Sequence, residues 1–531
     1  MNTASKHFFQ SDIIGLIPEL FLIICLLIVL LYGSFEVKKA CMLYTYILPN
    51  VARLTLVSFS LCLFLIYNNP IIFQVLWSGT FLMDYLGNHL KFFSTFILCL
   101  CILLSETFFY FSRIRNYEIF IFFIGICLSL CLLISSFDFL SIYLSVEFLS
   151  LIFYTIASLK KKSGFSAEAS LKYFILGSLA SAFFLFGASL VYFITGSTNL
   201  GHIGMLIEDL GILLKNIDFI IRFDSVNAVN FYSVYIKAKE FVYFYRLTPS
   251  VLLYFGFGLL ASSLLFKLGS APFHLWVPDV YEGAPTLITL IFAAVPKFSI
   301  FVVLCRLAFT SSMYFFLYLW KPLFFICGAL SLIIGCLGGL GEMKIKRVLA
   351  YSGIGHIGFL CFSFSCSSKE GLQGMFFYLY IYMITAVFIW SYVLFLNPIK
   401  KKWLSLLDSV GVAQTNPGLG LITFLMVFSL AGIPPFGGFF SKNFVFIALI
   451  DALFFPCALL AILSSGLSSF YYLRLIKILY FEKNQNWFFF CALSKSHSLV
   501  LSASALYILF YIFSPVTLFL LTFKLATVLL A

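Results

Sequence analysis

Charge is what this sequence has least of. Only 10% of its 531 residues are Asp, Glu, Lys or Arg, against roughly 25% in an average soluble domain. A soluble fold of this length could not cover its core with so few charges. Globular enzymes, secreted proteins and nucleic-acid binders are excluded on that ground. Also missing are a Walker A loop, a dinucleotide fingerprint, an iron–sulfur cysteine spacing and a haem Cys-x-x-Cys-His run. The 14 cysteines are scattered through apolar runs without paired spacing, which makes them small packing residues rather than disulfide partners or ligands. The first residues hold no Arg-rich transit segment or cleavable signal, so the chain is expected to start as written.

What is abundant is apolar surface. The chain is 62% hydrophobic with a mean hydropathy of +1.08, and its apolar runs approach twenty residues. At 1.5 Å per residue such runs cross a hydrocarbon core about 30 Å thick. The expected fold class is an all-α polytopic membrane protein of about fourteen spans, the first near 13–33 and the last near 499–523. Phe is counted 69 times, which suggests translation from an AT-rich, organelle genome.

The positions of the charges set the orientation. With both termini outside, the inner connections hold eighteen of the 33 basic residues, among them Lys160, Lys161, Lys162, Lys344, Lys346 and Arg347. The short outer segments hold six: Lys6, Lys91, Arg306, Lys321, Lys369 and Lys524. A long outer loop, 197–249, holds five more, which the positive-inside rule discounts. Four lysines are left in the membrane: Lys172, Lys267, Lys297 and Lys442. Glu147 lies mid-span in the fifth helix as their counter-charge. A charge at the bilayer centre costs about 2.5–3.5 kcal/mol even on the lenient insertion scale, so each needs a partner or water.

Two long spans are interrupted. The seventh contains Gly269-Ser-Ala-Pro272-Phe273-His274, and the twelfth contains Gly432-Ile-Pro434-Pro435-Phe436. Proline removes a donor and clashes with the preceding turn, and non-helical backbone survives at membrane depth only inside protein or beside water. The matching Pro-Phe pairs lie five spans apart, an odd offset that inverts the second copy. Inverted five-helix repeats over 119–306 and 307–480 follow, after a three-helix segment 1–118 and before a C-terminal helix in 481–531.

A buried ammonium loses its proton more readily on desolvation and holds it beside a carboxylate, so forming and breaking a Glu–Lys contact can move a proton. Arginine practically cannot do this. Glu147, Lys267, Lys297 and Lys442, linked by water and His356, therefore make a lateral proton relay. Lys172, near the inner boundary, could equally snorkel, and His274 could stabilise its turn or feed protons inward. Moving one charge against 100 mV takes about 2.3 kcal/mol. Nothing in the chain supplies that energy, so partners or an ion gradient must.

The residues Ser145-Val-Glu147-Phe-Leu-Ser150, Ala167-Glu-Ala-Ser-Leu-Lys172, Phe266-Lys267-Leu-Gly-Ser-Ala-Pro-Phe-His274-Leu-Trp-Val-Pro-Asp279-Val-Tyr-Glu282-Gly-Ala-Pro285, Lys346-Arg-Val-Leu-Ala-Tyr-Ser352 and Ser429-Leu-Ala-Gly-Ile-Pro-Pro435 resemble the antiporter-like membrane subunits of respiratory complex I. The resemblance covers about residues 95–480. It implies the fourteen-helix inverted-repeat fold and proton translocation coupled to electron transfer elsewhere. It also implies roles for Glu147 as the fifth-helix glutamate, Lys267 as its partner, Lys297 as the connecting lysine and Lys442 as the terminal one. No cofactor is expected in this chain: FMN, iron–sulfur clusters and ubiquinone belong to partner subunits. The expected partners are the other membrane-arm subunits and the lipid bilayer, with lineage-specific subunits a possible use of loop 197–249 and no nucleic acid. The expected location is the mitochondrial inner membrane, with a bacterial plasma membrane as the other setting. The alternative is an Mrp-type cation/proton antiporter subunit driven by an ion gradient.

Overall fold

In the computed structural model the described residues are 12–39, 44–69, 73–112, 116–160, 163–207, 251–309, 314–396, 405–482 and 494–530. The N-terminal helices are α1 (Ile17–Lys39), α2 (Tyr44–Asn68) and α3 (Tyr85–Ser112). A small antiparallel hairpin, β1 (Gln74–Leu76) and β2 (Phe81–Met83), joins the last two and is an addition to the expected all-helical chain. Then come α4 (Glu118–Ser135), α5 (Phe139–Ala157) and α6 (Gly164–Thr195). The seventh span is α7 (Val251–Leu268) followed by the short α8 (Trp276–Gly283). It continues into α9 (Thr286–Phe309), α10 (Tyr314–Gly341), α11 (Ile345–Ser365) and α12 (Lys369–Leu396). The chain closes with α13 (Pro417–Ala431), α14 (Gly437–Asp451), α15 (Phe455–Tyr480), α16 (Lys495–Phe513) and α17 (Pro515–Leu530).

Among the described residues 12 helices are long and apolar enough to cross a membrane, or 13 spans with α16 and α17 taken as one. The broken pair α13/α14 supplies the fourteenth. The last span is not the single straight helix expected near 499–523: it bends by 87° between Tyr511 and Pro515, at a proline that removes a donor from the ladder. Of the expected outer loop, residues 200–207 are helical, and 208–249 lie outside the described residues.

Local sequence explains the helix ends. Asp138 caps α5 by accepting from the Leu140 amide at 2.9 Å. Pro417 opens α13, where a missing N–H costs nothing. Both breaks end on a left-handed glycine, Gly269 at φ +79° and Gly432 at φ +82°, a conformation that a side chain would strain. Their hydrogen bonds are the same: the glycine and the next residue both donate to the carbonyl five residues before the latter, Leu265 in one case and Phe428 in the other.

The centre of the bundle is α9, all of whose residues are buried. Helices α10 and α11 approach so closely that a Cβ at Gly335 would lie 2.6 Å from the Gly355 amide nitrogen. This is the close packing that the glycine-rich stretch around His356 allows. The charges expected on the inner side gather at α8. Lys172 bonds Asp279 at 2.9 Å, Lys344 bonds Glu282 at 2.6 Å, and Arg347 bonds Glu282, Asp279 and Glu342.

The second break depends on Gly438, where an added Cβ would sit 1.7 Å from the Ser429 carbonyl oxygen. Gly438→Ala is expected to push the halves apart and destabilise the protein by about 1–3 kcal/mol. Gly418→Ala, at a site with nothing within 4 Å, should be neutral. Thermal unfolding in detergent measures both.

Candidate functional site

The polar groups of the membrane interior fall into two clusters along the central helices. The first lies between α5 and α7. Glu147 and Ser150 share one face of α5, and Ser150 Oγ donates to Glu147 Oε2 at 3.3 Å. Glu147 Oε1 and Lys267 Nζ are both buried with no hydrogen-bond partner, so the two groups expected to pair do not touch. Lys267 Nζ lies 6.0 Å from the centre of the Tyr154 ring, whose hydroxyl is also unpartnered. A cavity of about 20 Å³ opens beside Lys267, lined also by Ser150, Tyr173 and Trp276. That is room for a water.

At the first break the Phe266 carbonyl accepts from the Gly269 amide at 2.9 Å and from Trp276 Nε1 at 3.0 Å. At the second break a lysine meets the helix end: Lys442 Nζ donates to the Ala431 carbonyl at 2.7 Å. Two similar breaks thus leave their lysines in different conditions, one held and one unoccupied.

The second cluster spans α9, α11, α12, α14 and α15. Lys297, 3% exposed, donates to the Tyr382 hydroxyl at 2.6 Å. His356 is held at both ring nitrogens, by the Tyr378 hydroxyl at 2.6 Å and the Tyr472 hydroxyl at 3.2 Å. Its ring centre lies 5.1 Å from that of Tyr382. A second cavity, about 10 Å³, is lined by His356, Tyr378, Tyr382, Thr385, Ser441 and Lys442.

Two expected residues stand apart from these clusters. Lys172 is not buried in the bundle: its side chain is 44% exposed and pairs with Glu168 and Asp279. His274 sits just before α8 with its Nδ1 buried and unpartnered. Outside the spans, burial pulls the Lys160 ammonium below its ordinary pKa. Among the described residues no group of three or more His, Cys, Asp or Glu could hold a metal ion.

Three tyrosines and two ion pairs join the embedded groups expected from the sequence. Tyr378 and Tyr382 are four residues apart in an apolar span, a spacing that puts both hydroxyls on one face and was available as a signal. Lys91 and Arg306, assigned to outer segments, are buried. Lys91 is in α3, which starts earlier than expected, and meets Glu19 of α1 at 2.5 Å. Arg306 meets Asp84 at 2.9 Å and donates to the Ser136 carbonyl at 3.2 Å.

Residues 136–468 match the family described as NADH:quinone oxidoreductase/Mrp antiporter, TM. The NADH-ubiquinone oxidoreductase chain 2 of Marchantia polymorpha is 33% identical over 525 residues, covering 98% of this chain and 99% of the relative. A chain of respiratory complex I from Thermus thermophilus with bound aureothin matches with a TM-score of 0.71 and 25% identity, over 94% of this chain and 98% of that one. A chain of the Mrp complex from Dietzia shares the fold, with a TM-score of 0.75 at 16% identity over 98% of each.

The Glu19–Lys91 pair gives a clean test of burial. Lys91→Met alone strands a buried carboxylate and should cost about 3–5 kcal/mol, whereas Lys91→Met with Glu19→Leu should recover most of it. Chemical denaturation of the three proteins measures the difference.

Proposed function

The chain belongs to the NADH:quinone oxidoreductase/Mrp antiporter family of membrane proteins, and on that premise we propose how it moves protons. It is a proton-translocating membrane subunit of respiratory NADH:ubiquinone oxidoreductase and works beside the other subunits of that complex. Electron transfer takes place in those partners, where FMN, iron–sulfur clusters and ubiquinone are bound. The location we propose is the mitochondrial inner membrane, in keeping with the chain-2 relatives. Loop 197–249 is proposed as a contact for lineage-specific subunits.

The relay runs from Glu147 and Lys267 through Lys297 and His356 to Lys442. The observation that carries it is the pair of unpartnered buried atoms, Glu147 Oε1 and Lys267 Nζ, with a water-sized cavity beside the lysine. Closing this pair stabilises the ammonium, and opening it drives the proton onward. At an effective dielectric near 20, two unit charges 4 Å apart interact by about 4 kcal/mol. That exceeds the roughly 2.3 kcal/mol needed to move a charge against 100 mV, so one pair has the scale to do the work. Lys172 and His274 lie at the inner end, where they serve proton uptake.

The Mrp-type reading shares the fold, and full-length identity to chain 2 favours the complex I reading. Lys267→Ala in the intact complex should abolish most NADH-driven proton pumping, measured in sealed membrane vesicles. Unchanged pumping would leave the lysines structural. A purified chain that exchanges Na⁺ for H⁺ in liposomes without its partners would instead favour the antiporter reading.

A further inference from the structure

The acids, bases and histidine of the relay do not form a continuous line. Lys297 does not line the cavity that reaches Lys442. Among the described residues the one hydrogen bond from its ammonium goes to the Tyr382 hydroxyl, and Tyr382 does line that cavity. His356 lines it as well, but both its ring nitrogens are already engaged by Tyr378 and Tyr472. Transfer through the imidazole would require one of those bonds to break first. Tyr382, by contrast, spends its own proton on a long contact to the Ala293 carbonyl, 3.4 Å, which costs little to leave.

We propose that Tyr382 is a proton-transfer residue, the hydroxyl through which a proton leaves Lys297 for the cavity that Lys442 lines. The inference rests on the relay reading above. In the step, the Lys297 ammonium gives an N–H proton to Tyr382 Oη while the tyrosine's own O–H proton leaves to a water or hydroxyl in the cavity. From there a proton reaches the neutral amine of Lys442. Lys297 ends neutral, Lys442 ends cationic and the tyrosine is unchanged, so no tyrosinate and no oxidant are needed. The cavity is about 10 Å³, at the lower edge of the roughly 10–15 Å³ that one water requires. The hydroxyls of Thr385 and Ser441 in its wall add polar partners. Gly353 of α11 keeps the contact uncrowded: a Cβ there would lie 3.4 Å from Lys297 Nζ and 3.5 Å from Tyr382 Oη.

The test uses the intact complex in sealed vesicles. Tyr382→Phe keeps the ring and removes the hydroxyl, and should slow proton pumping by about tenfold or more. The solvent deuterium isotope effect on coupled NADH oxidation should rise, because proton transfer becomes limiting, a change that mere loosening of the fold would not produce. Tyr392→Phe, which removes from the same helix a buried hydroxyl that has no hydrogen-bond partner and lines neither cavity, should stay within about twofold of the parent. Gly353→Val, which wedges a side chain into the Lys297–Tyr382 contact, should repeat the Tyr382→Phe defect and decides the matter if Tyr382→Phe does not assemble. Normal pumping by Tyr382→Phe, or by Gly353→Val in that case, overturns the proposal. Lys297→Met separates the two levels. If it stops pumping while Tyr382→Phe does not, the relay stands and the tyrosine falls. If both pump normally, the relay itself falls.

Discussion

Every polar feature of this molecule answers one constraint: a charge or a free backbone group inside hydrocarbon must find a partner or water, or be neutral. The constraint explains why so few charges are embedded and why those few are informative. It also explains the backbone. At each break the glycine and its neighbour return to the preceding turn, closing the carbonyls of Leu265 and Phe428. What remains open differs, and the function follows from that difference. The first break adds the Trp276 indole at the Phe266 carbonyl, and the second adds the Lys442 ammonium at the Ala431 carbonyl. An indole has one donor and cannot titrate; an ammonium has three. Lys267 is left without a hydrogen bond, while Lys442 is tied to the helix end.

The buried ion pairs show the same logic from the other side. Glu19 with Lys91 and Asp84 with Arg306 are closed contacts at 2.5 and 2.9 Å. The second uses arginine, which does not give up its proton, and adds the Ser136 carbonyl, so it joins the segment before α3 to the ends of α4 and α9. These pairs hold the bundle together. Glu147 and Lys267 are not in contact: Glu147 Oε2 has only a long bond from Ser150, and Glu147 Oε1 and Lys267 Nζ have none. A pair left open in a medium that penalises open charges is metastable, and metastability is what a proton-moving element needs. Identical residue types thus serve as rivet in one place and as switch in another, and only their contacts distinguish them.

Much of the architecture was legible because membrane helices satisfy their own backbone, so length and apolarity of a run report a span without reference to neighbours. Breaks were legible for the same reason: Gly269, Pro272, Gly432 and Pro435 act on local backbone. The ion pairs of Lys91 and Arg306 were not legible because a lone cation near a span end looks the same whether it faces headgroups or a carboxylate 72 or 222 residues away. Tyr378, Tyr382 and Tyr472 were hidden among 29 tyrosines, most of them indistinguishable by sequence from interfacial or lipid-facing rings.

By itself the sequence determined that the chain crosses the bilayer about fourteen times, where two of those spans break, and which lysines are left inside with Glu147. These are properties of composition and local covalent geometry. The tertiary structure alone decided that Lys267 stands free, that Lys442 caps a helix end, and that tyrosine hydroxyls hold Lys297 and both ring nitrogens of His356. Those outcomes depend on which helices face one another, and a hydrogen bond is made by atoms about 3 Å apart in space, wherever they fall along the chain.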